Sequence, residues 1–503
     1  VQRLKGLFAD RTLLVLSLIG MALTILGAKL TLVDQYGSNV PFWDQWDAEA
    51  LHLYAPYLNG TLTLSDLFAA HNEHRIFVTR VFNIALLELN GLWFPMLQMV
   101  ANAVLHVLIL VVMVAVLGRG LATWMKVALA LFTALAFALP FGWENTLAGF
   151  QSQFYFVFGF SFFAIALMAG QRAFSRLWWL GFLSLLLASV SMSSGVLAIA
   201  ALIATGLLQL AAGVRPRSIF EIVGILLLTL AFLLIYQTVP VVEAHNALRA
   251  DSVTEFLMSL ATVAAWPTRF WLVAAIVINL PITILLVRTL LQRQPLGSHA
   301  WVLVGTMAWV ALQWVSFAYG RADGATSSRY ADTLLVGLVV NVAAALHLLN
   351  QFRAFERWFA LPAYAVAILA SVVTYGSDTF GHVSSRGQMY EMQIANMRVF
   401  FATGDVETLR ATPAPAIPYP DADRLAMIAT DPAIRSVLHP EVTGVQPTAS
   451  LVLPSLVNWM FRATQLVLLR AHWLVVLAGL VIFVVATGLV LFRRAIKAHN
   501  KKC

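Results

Sequence analysis

Apolar residues run along this chain in blocks of about twenty, and the polar residues collect between the blocks. A hydrocarbon core of ~30 Å takes ~20 apolar residues of helix. By that measure about twelve spans are predicted, near 12–33, 93–117, 127–142, 154–170, 177–195, 196–213, 219–239, 268–291, 300–319, 331–350, 357–375 and 466–492. The intervening segments alternate in character. Short ones carry Arg119 and Lys126, Arg172 and Arg176, Arg215 and Arg217, Arg288 and Arg293, Arg353 and Arg357. Arg3, Lys5 and Arg11 precede the first span, and Arg493, Arg494, Lys497, Lys501 and Lys502 close the chain. Basic residues mark cytoplasmic loops, so both termini are expected in the cytoplasm. The longer polar segments, near 34–92, 143–153, 240–267, 320–332 and 376–465, are expected on the other side.

The expected fold is an all-α polytopic membrane protein. Its parts are a transmembrane module over 1–375, an extracytoplasmic subdomain over 376–465, and a last span with a basic tail over 466–503. Within the first outer loop, "DAEALHLYAPYLNG" and "RIFVTRVFNIALLELNG" mix apolar and polar residues at helical spacing, and each ends in Asn-Gly, a common helix stop. Both read as in-plane helices. Asp431 before Pro432 reads as a helix start.

Composition agrees with this pattern. Hydrophobic residues make up 60% of the 503 positions and charged residues 11%, far below the quarter usual in soluble domains. Residues 13–32 read as a span rather than a signal peptide, being too long for a signal's apolar region. One cysteine, Cys503, excludes an internal disulfide framework. Much of the formal charge of +8 is assigned to the cytoplasmic loops, and none of it to nucleic-acid binding.

Candidate chemistry lies at the outer boundary. In "PFWDQWDAEA", Asp44, Asp47 and Glu49 sit among Trp43 and Trp46. They suit either a helix cap with an acidic first turn and interfacial anchors, or a general base in a partly apolar cleft with a stacking face for a sugar. "HNEHR" supplies His71, Glu73, His74 and Arg75, with the two histidines on one face if the segment is helical. Its readings are a solvated loop, a metal site completed by Asp44 or Asp47, or hydrogen bonding to a sugar. "GRADGATSSRYAD" supplies Arg321, Asp323, Arg329, Tyr330 and Asp332. Arginine holds phosphate through a planar fork, or reaches for lipid headgroups from a helix end. "WENTLAGFQSQFY" adds Glu144, Gln151 and Gln153 in second rank, and "SMSSG" (191–195) reads as a close helix contact or a break.

With these residues in view, the chain resembles the polytopic glycosyltransferases of GT-C type that use polyprenyl-phosphate sugars. It is similar in layout to bacterial enzymes that decorate O-antigen and other surface glycans. The likeness rests on acids just past the first span, at 42–49, and on Ser328-Arg329-Tyr330 leading into an apolar span. The acids are spaced D-x-x-D-x-E, unlike the adjacent Asp-Glu of the protein mannosyltransferases, which leaves the base open between Asp44 and Asp47.

The resemblance implies an inverting transfer to an acceptor hydroxyl of a glycan or glycolipid on the extracytoplasmic face of a bacterial inner membrane. Asp44 or Asp47 would be the base. Arg329, with Arg321 and Tyr330, would hold the donor phosphate. Trp43, Trp46, Glu49, His71, Glu73, His74, Arg75 and Asp323 would contact sugar or acceptor. No cofactor is required; a divalent metal is a less favoured option that would use the carboxylates and histidines. The expected partners are the lipid-linked donor, the acceptor and membrane lipids, with no nucleic acid. Two other functions remain open. One is an O-antigen polymerase or ligase with a lipid-diphosphate donor, using Arg249 or Arg269 for the second phosphate. The other is a lipid or glycolipid transporter, which would show polar lining at mid-depth.

Overall fold

A computed structural model describes residues 2–268, 271–349, 361–449 and 451–499. Arg269, Arg353, Arg357, Lys501, Lys502, Cys503 and the first residues of the 357–375 span lie outside them. The described chain is almost wholly helical. Among the described residues ten helices are long and apolar enough to cross a bilayer.

Three of the expected twelve spans differ. The 177–195 stretch is the 14-residue helix Arg176–Ser189, closed by a turn at Ser193–Gly195. At 1.5 Å per residue it covers only about 21 Å. The break falls at "SMSSG", where Gly195 lies so close to Ala188 that a Cβ would stand 2.2 Å from its carbonyl oxygen. The described part of 357–375 belongs to one 43-residue helix, Leu361–Thr403. The boundary expected at 375/376 therefore falls inside a helix. Val383, Tyr390, Met397 and Phe400 recur on one buried stripe of its second half and keep it docked. The last span is also shorter at its start. Residues 466–470 end a separate helix, Ser455–Arg470, and the span itself is His472–His499.

The first and last helices, Gln2–Tyr36 and His472–His499, pack antiparallel. Small residues let their backbones meet: a Cβ on Gly27 would lie 2.5 Å from Val476, and one on Gly479 would lie 2.5 Å from Thr24. Ion pairs tie both ends, Arg493–Asp10 at 3.4 Å and Arg470–Asp34 at 2.8 Å. The helix Ser328–Leu348 runs through the middle of the bundle and is mostly buried, whereas the peripheral Ile219–Gln237 is mostly uncovered. Arg329 thus stands at the start of the most enclosed span.

The segment after the first helix is helical, as its pattern predicts. A wide π-type helix Gln45–Tyr54 continues into Ala55–Leu58, and Phe77–Asn90 follows. Gly60 (φ 68°) and Gly91 (φ 71°) take the left-handed geometry at the two Asn-Gly stops. "HNEHR" is not helical. Ala70–His71 and His74–Arg75 form a small antiparallel hairpin in which His71 faces His74 across the ladder. Asn72 at φ 49° makes the tight turn.

The C-terminal segments do not stand apart. Trp46, Leu53, Tyr54 and Trp93 share one buried cluster with Phe400, Leu409, Leu425, Ile434 and Val437. Asp431 caps Pro432–Arg435 as expected, its Oδ1 accepting from the amides of Ala433 (2.8 Å) and Ile434 (3.2 Å).

Candidate active site

The ends of the first helix, Thr123–Ala138, Ile219–Gln237 and Ala300–Gly320 meet the starts of Ser152–Met168 and Ser328–Leu348 at one rim of the bundle. The hairpin 70–75 sits there, pinned on three sides. The Ser193 hydroxyl donates to the Glu73 carbonyl, and Arg75 donates to the carbonyl of Thr238. The Glu73 carboxylate takes His245 and, at 2.9 Å, the Arg321 guanidinium. Burial works against the Glu73 charge, but the bonds from His245 and Arg321 outweigh it and hold the carboxyl down at about 2. His74 is partly buried, its shielded Nδ1 has no partner among the described residues, and desolvation lowers its pKa to about 4 despite the charge of Glu73.

Asp44 occupies the N-cap position of Gln45–Tyr54, yet its side chain caps nothing. It turns to His71, with Oδ1 3.4 Å from Nε2. The His71 ring rests edge-on against Phe150. Asp44 remains 43% exposed, so one carboxylate edge is open to solvent.

Arg329 is fixed by a lattice around the turn Trp143–Thr146. Its amide donates to Glu144 Oε2 at 2.9 Å and its guanidinium to Oε1 at 3.2 Å. Asn145 donates to the carbonyl of Arg329 (2.9 Å) and to Asp332 (3.0 Å). The Ser328 hydroxyl donates to the Phe141 carbonyl at 2.6 Å. One terminal nitrogen of the Arg329 guanidinium serves Glu144, and the rest of the fork is half-exposed. Glu144 is the chief negative charge acting on Arg329, and Asp44 adds a smaller one. Tyr330 stacks on Phe317 at 4.2 Å and contacts Arg321.

Asp44, His71, Glu73, His74, Arg321, Arg329 and Tyr330 therefore converge. Trp43, 52% exposed at φ 49° with its amide bonded to Pro418 O (2.9 Å), stands beside them, its ring tilted against that of Phe42 at 6.0 Å. The other expected residues do not join. Asp47 is spent on the C-terminal segment, with both its oxygens taken by Arg424 and Tyr419. Trp46 is fully buried against Trp93. Glu49 is fully buried and accepts from Gln45, Asn83, Trp93 and Gln98. Burial pushes its carboxyl from 4.5 up to about 7, against those bonds. Arg75 points to Thr238, and Asp323 lies exposed on the turn beyond Arg321.

Sequence reasoning passed over His245, Tyr419 and Arg424, and ranked Glu144 second. His245 lies 172 positions from Glu73 in a loop with no distinguishing pattern, so only folding reveals it. It also passed over the depth of Lys29, which is buried within the first span, donates to Thr146 (2.9 Å), and feels the charge of Asp332. Among the described residues no group of three His, Cys, Asp or Glu side chains could hold a metal ion. In comparisons with known proteins, no family model, curated protein or solved structure matches the chain.

Proposed function

We propose that the protein is an integral-membrane glycosyltransferase that moves a sugar from a polyprenyl-phosphate donor to an acceptor hydroxyl, with inversion, on the extracytoplasmic face. One observation supports this most: Asp44, half-exposed beside His71 of the 70–75 hairpin, and Arg329, on the segment whose Arg321 binds Glu73 of the same hairpin, meet at one rim although 285 positions separate them. Asp44 takes the proton of the acceptor hydroxyl. The oxygen attacks the anomeric carbon as the carbon–phosphate-oxygen bond breaks. The leaving phosphate gains charge and is met by Arg329, whose position is set before reaction by Glu144 and Asn145. His71 holds Asp44, and Trp43 offers a sugar-stacking face. Asp44 is preferred to Asp47 as base because Asp47 has no free oxygen.

The second reading is a carrier of lipid-linked material. It draws on ionisable groups inside the spans, where they are costly and mark pathways: Lys29, His106 and Asp332 are all buried, and both ring nitrogens of His106 lack partners among the described residues.

Detergent-purified protein supplied with a radiolabelled polyprenyl-phosphate sugar and a cell-envelope glycolipid fraction tests the choice. The transferase reading expects release of polyprenyl phosphate, and a loss of about 2–4 kcal/mol of transition-state stabilisation in Asp44→Asn and in Arg329→Ala. Wild-type turnover by Asp44→Asn discards the base. Transbilayer movement of the lipid without sugar release selects the carrier.

A further inference from the structure

Beside the rim, on the far side of the Arg321 turn, lies an open cleft of ≈ 480 Å³. One wall is the start of the helix Val253–Ala265, with Thr254, Glu255, Met258 and Ser259. The other is the turn carrying Asp323 and Thr326. The two walls are joined: the Ser259 hydroxyl donates to the carbonyl of Ala322 at 2.9 Å. Glu255 is held in place by the amide of Asp251 at 2.5 Å. The side chains of Thr254, Asp323 and Thr326 have no hydrogen-bond partner among the described residues.

The chemistry of this lining narrows the ligand. It offers free hydroxyls, which donate and accept, and carboxylates, which accept. Among the described residues no lysine or arginine lines it; the Arg321 guanidinium next to Asp323 is engaged by Glu73 instead. A phosphate or other anion would meet two carboxylates with nothing to offset them. Met258 adds one apolar contact of the kind a carbon–hydrogen face of a sugar ring fills. A neutral polyhydroxylated molecule uses all of these groups, and its hydroxyls donate to the carboxylates in charge-assisted bonds.

We infer that the cleft between Thr254 and Thr326 is a binding subsite for a neutral sugar, the one that accepts the transferred residue. That a sugar binds there follows from the cleft alone; its role as acceptor rests on the transferase reading above. The turn 321–329 connects the two sites, with Asp323 on the cleft and Arg329 at the rim.

The test is saturation-transfer NMR on the full chain in detergent, with the methyl glycosides of glucose, galactose, mannose and rhamnose as probes and glycerol as the control polyol. At least one glycoside is expected to receive saturation, while glycerol is not. Thr254→Trp and Thr326→Trp fill the cleft from opposite walls and each is expected to abolish the signal. Asp323→Asn is expected to weaken binding about tenfold, the worth of one charge-assisted hydrogen bond. Arg329→Ala is expected to keep the signal. Thr254 is exposed and Thr326 partly so, and matching gel-filtration profiles certify the folding of both tryptophan variants. No signal from any glycoside, or an undiminished signal in both tryptophan variants, overturns the subsite. Loss of signal in Arg329→Ala alone also overturns it, since the sugar then sits in the rim. Bound glycoside without donor cleavage sinks the transferase reading and leaves the subsite standing. Sugar transfer with an unchanged acceptor KM in both tryptophan variants does the reverse.

Discussion

Arg424 donates to one oxygen of Asp47 from two nitrogens, Nε at 2.9 Å and a terminal nitrogen at 2.5 Å, across 377 positions of chain. The Tyr419 hydroxyl takes the other oxygen at 2.5 Å. This junction clamps the Ala422–Thr430 helix onto Gln45–Tyr54. Asp47→Ala should therefore act on stability. Arg424 is 40% exposed, so solvent screens the pair and the expected cost is about 1 kcal/mol. Hydrogen exchange should rise across 421–435. In the donor assay Asp44→Asn should fall further than Asp47→Asn; the opposite order would transfer the base to Asp47.

The buried Glu49 makes stability depend on pH. Its folded pKa of about 7 lies above the ordinary 4.5, so the folded state holds the proton more tightly. The associated stability is full below about 4.5 and is lost as pH rises through about 7, on the order of 3 kcal/mol between the limits. Glu49→Gln should flatten this part of the pH profile of thermal unfolding in detergent. An unchanged slope between pH 4.5 and 7 would show that Glu49 does not titrate there.

The Glu73 clamp predicts a local effect. Its pKa of about 2 lies below the ordinary value, so its contribution is present above about 4.5 and lost as pH falls towards 2. Arg321→Gln removes one of the two side-chain donors that hold the charge. At pH 7 hydrogen exchange should rise in 70–75 and 243–248, with little change in 421–435. Uniform loosening of both regions would mean that the clamp is not local.

Lys29 and Asp332 give a pairwise test. Each is buried, and they brace the 143–146 turn through Thr146 and Asn145. Gly142 presses on the Asp332 carboxylate, where a Cβ would stand 2.7 Å from an oxygen. Lys29→Met removes the donor to Thr146 and the positive charge that acts on Asp332, and should cost about 1–3 kcal/mol. The double variant Lys29→Met/Asp332→Asn should recover much of this. Additive losses would refute the coupling.

Much of the fold was legible because its cause is local. Spans follow from apolar length, the Asn59-Gly60 and Asn90-Gly91 stops from left-handed glycine, and the Asp431 cap from a side chain reaching two amides. The errors arose where local pattern was overruled. The hairpin at "HNEHR" was not legible, because Ser193, Thr238, His245 and Arg321 bond to its turn and edge from elsewhere. The 361–403 helix continued past 375 because its second half had a core to dock on.

By itself, then, the sequence determined that this chain crosses a membrane many times and keeps its acids and arginines near the ends of its helices, since hydrocarbon penalises buried charge wherever it occurs along a chain. The tertiary structure alone decided which of those charges were spent. Asp44, Asp47 and Glu49 look alike in sequence, yet one is open beside His71, one is clamped by Arg424, and one is buried among amides. Their difference lies in partners brought in from tens to hundreds of positions away, and a carboxylate's reactivity is set by those partners and by the water left to it.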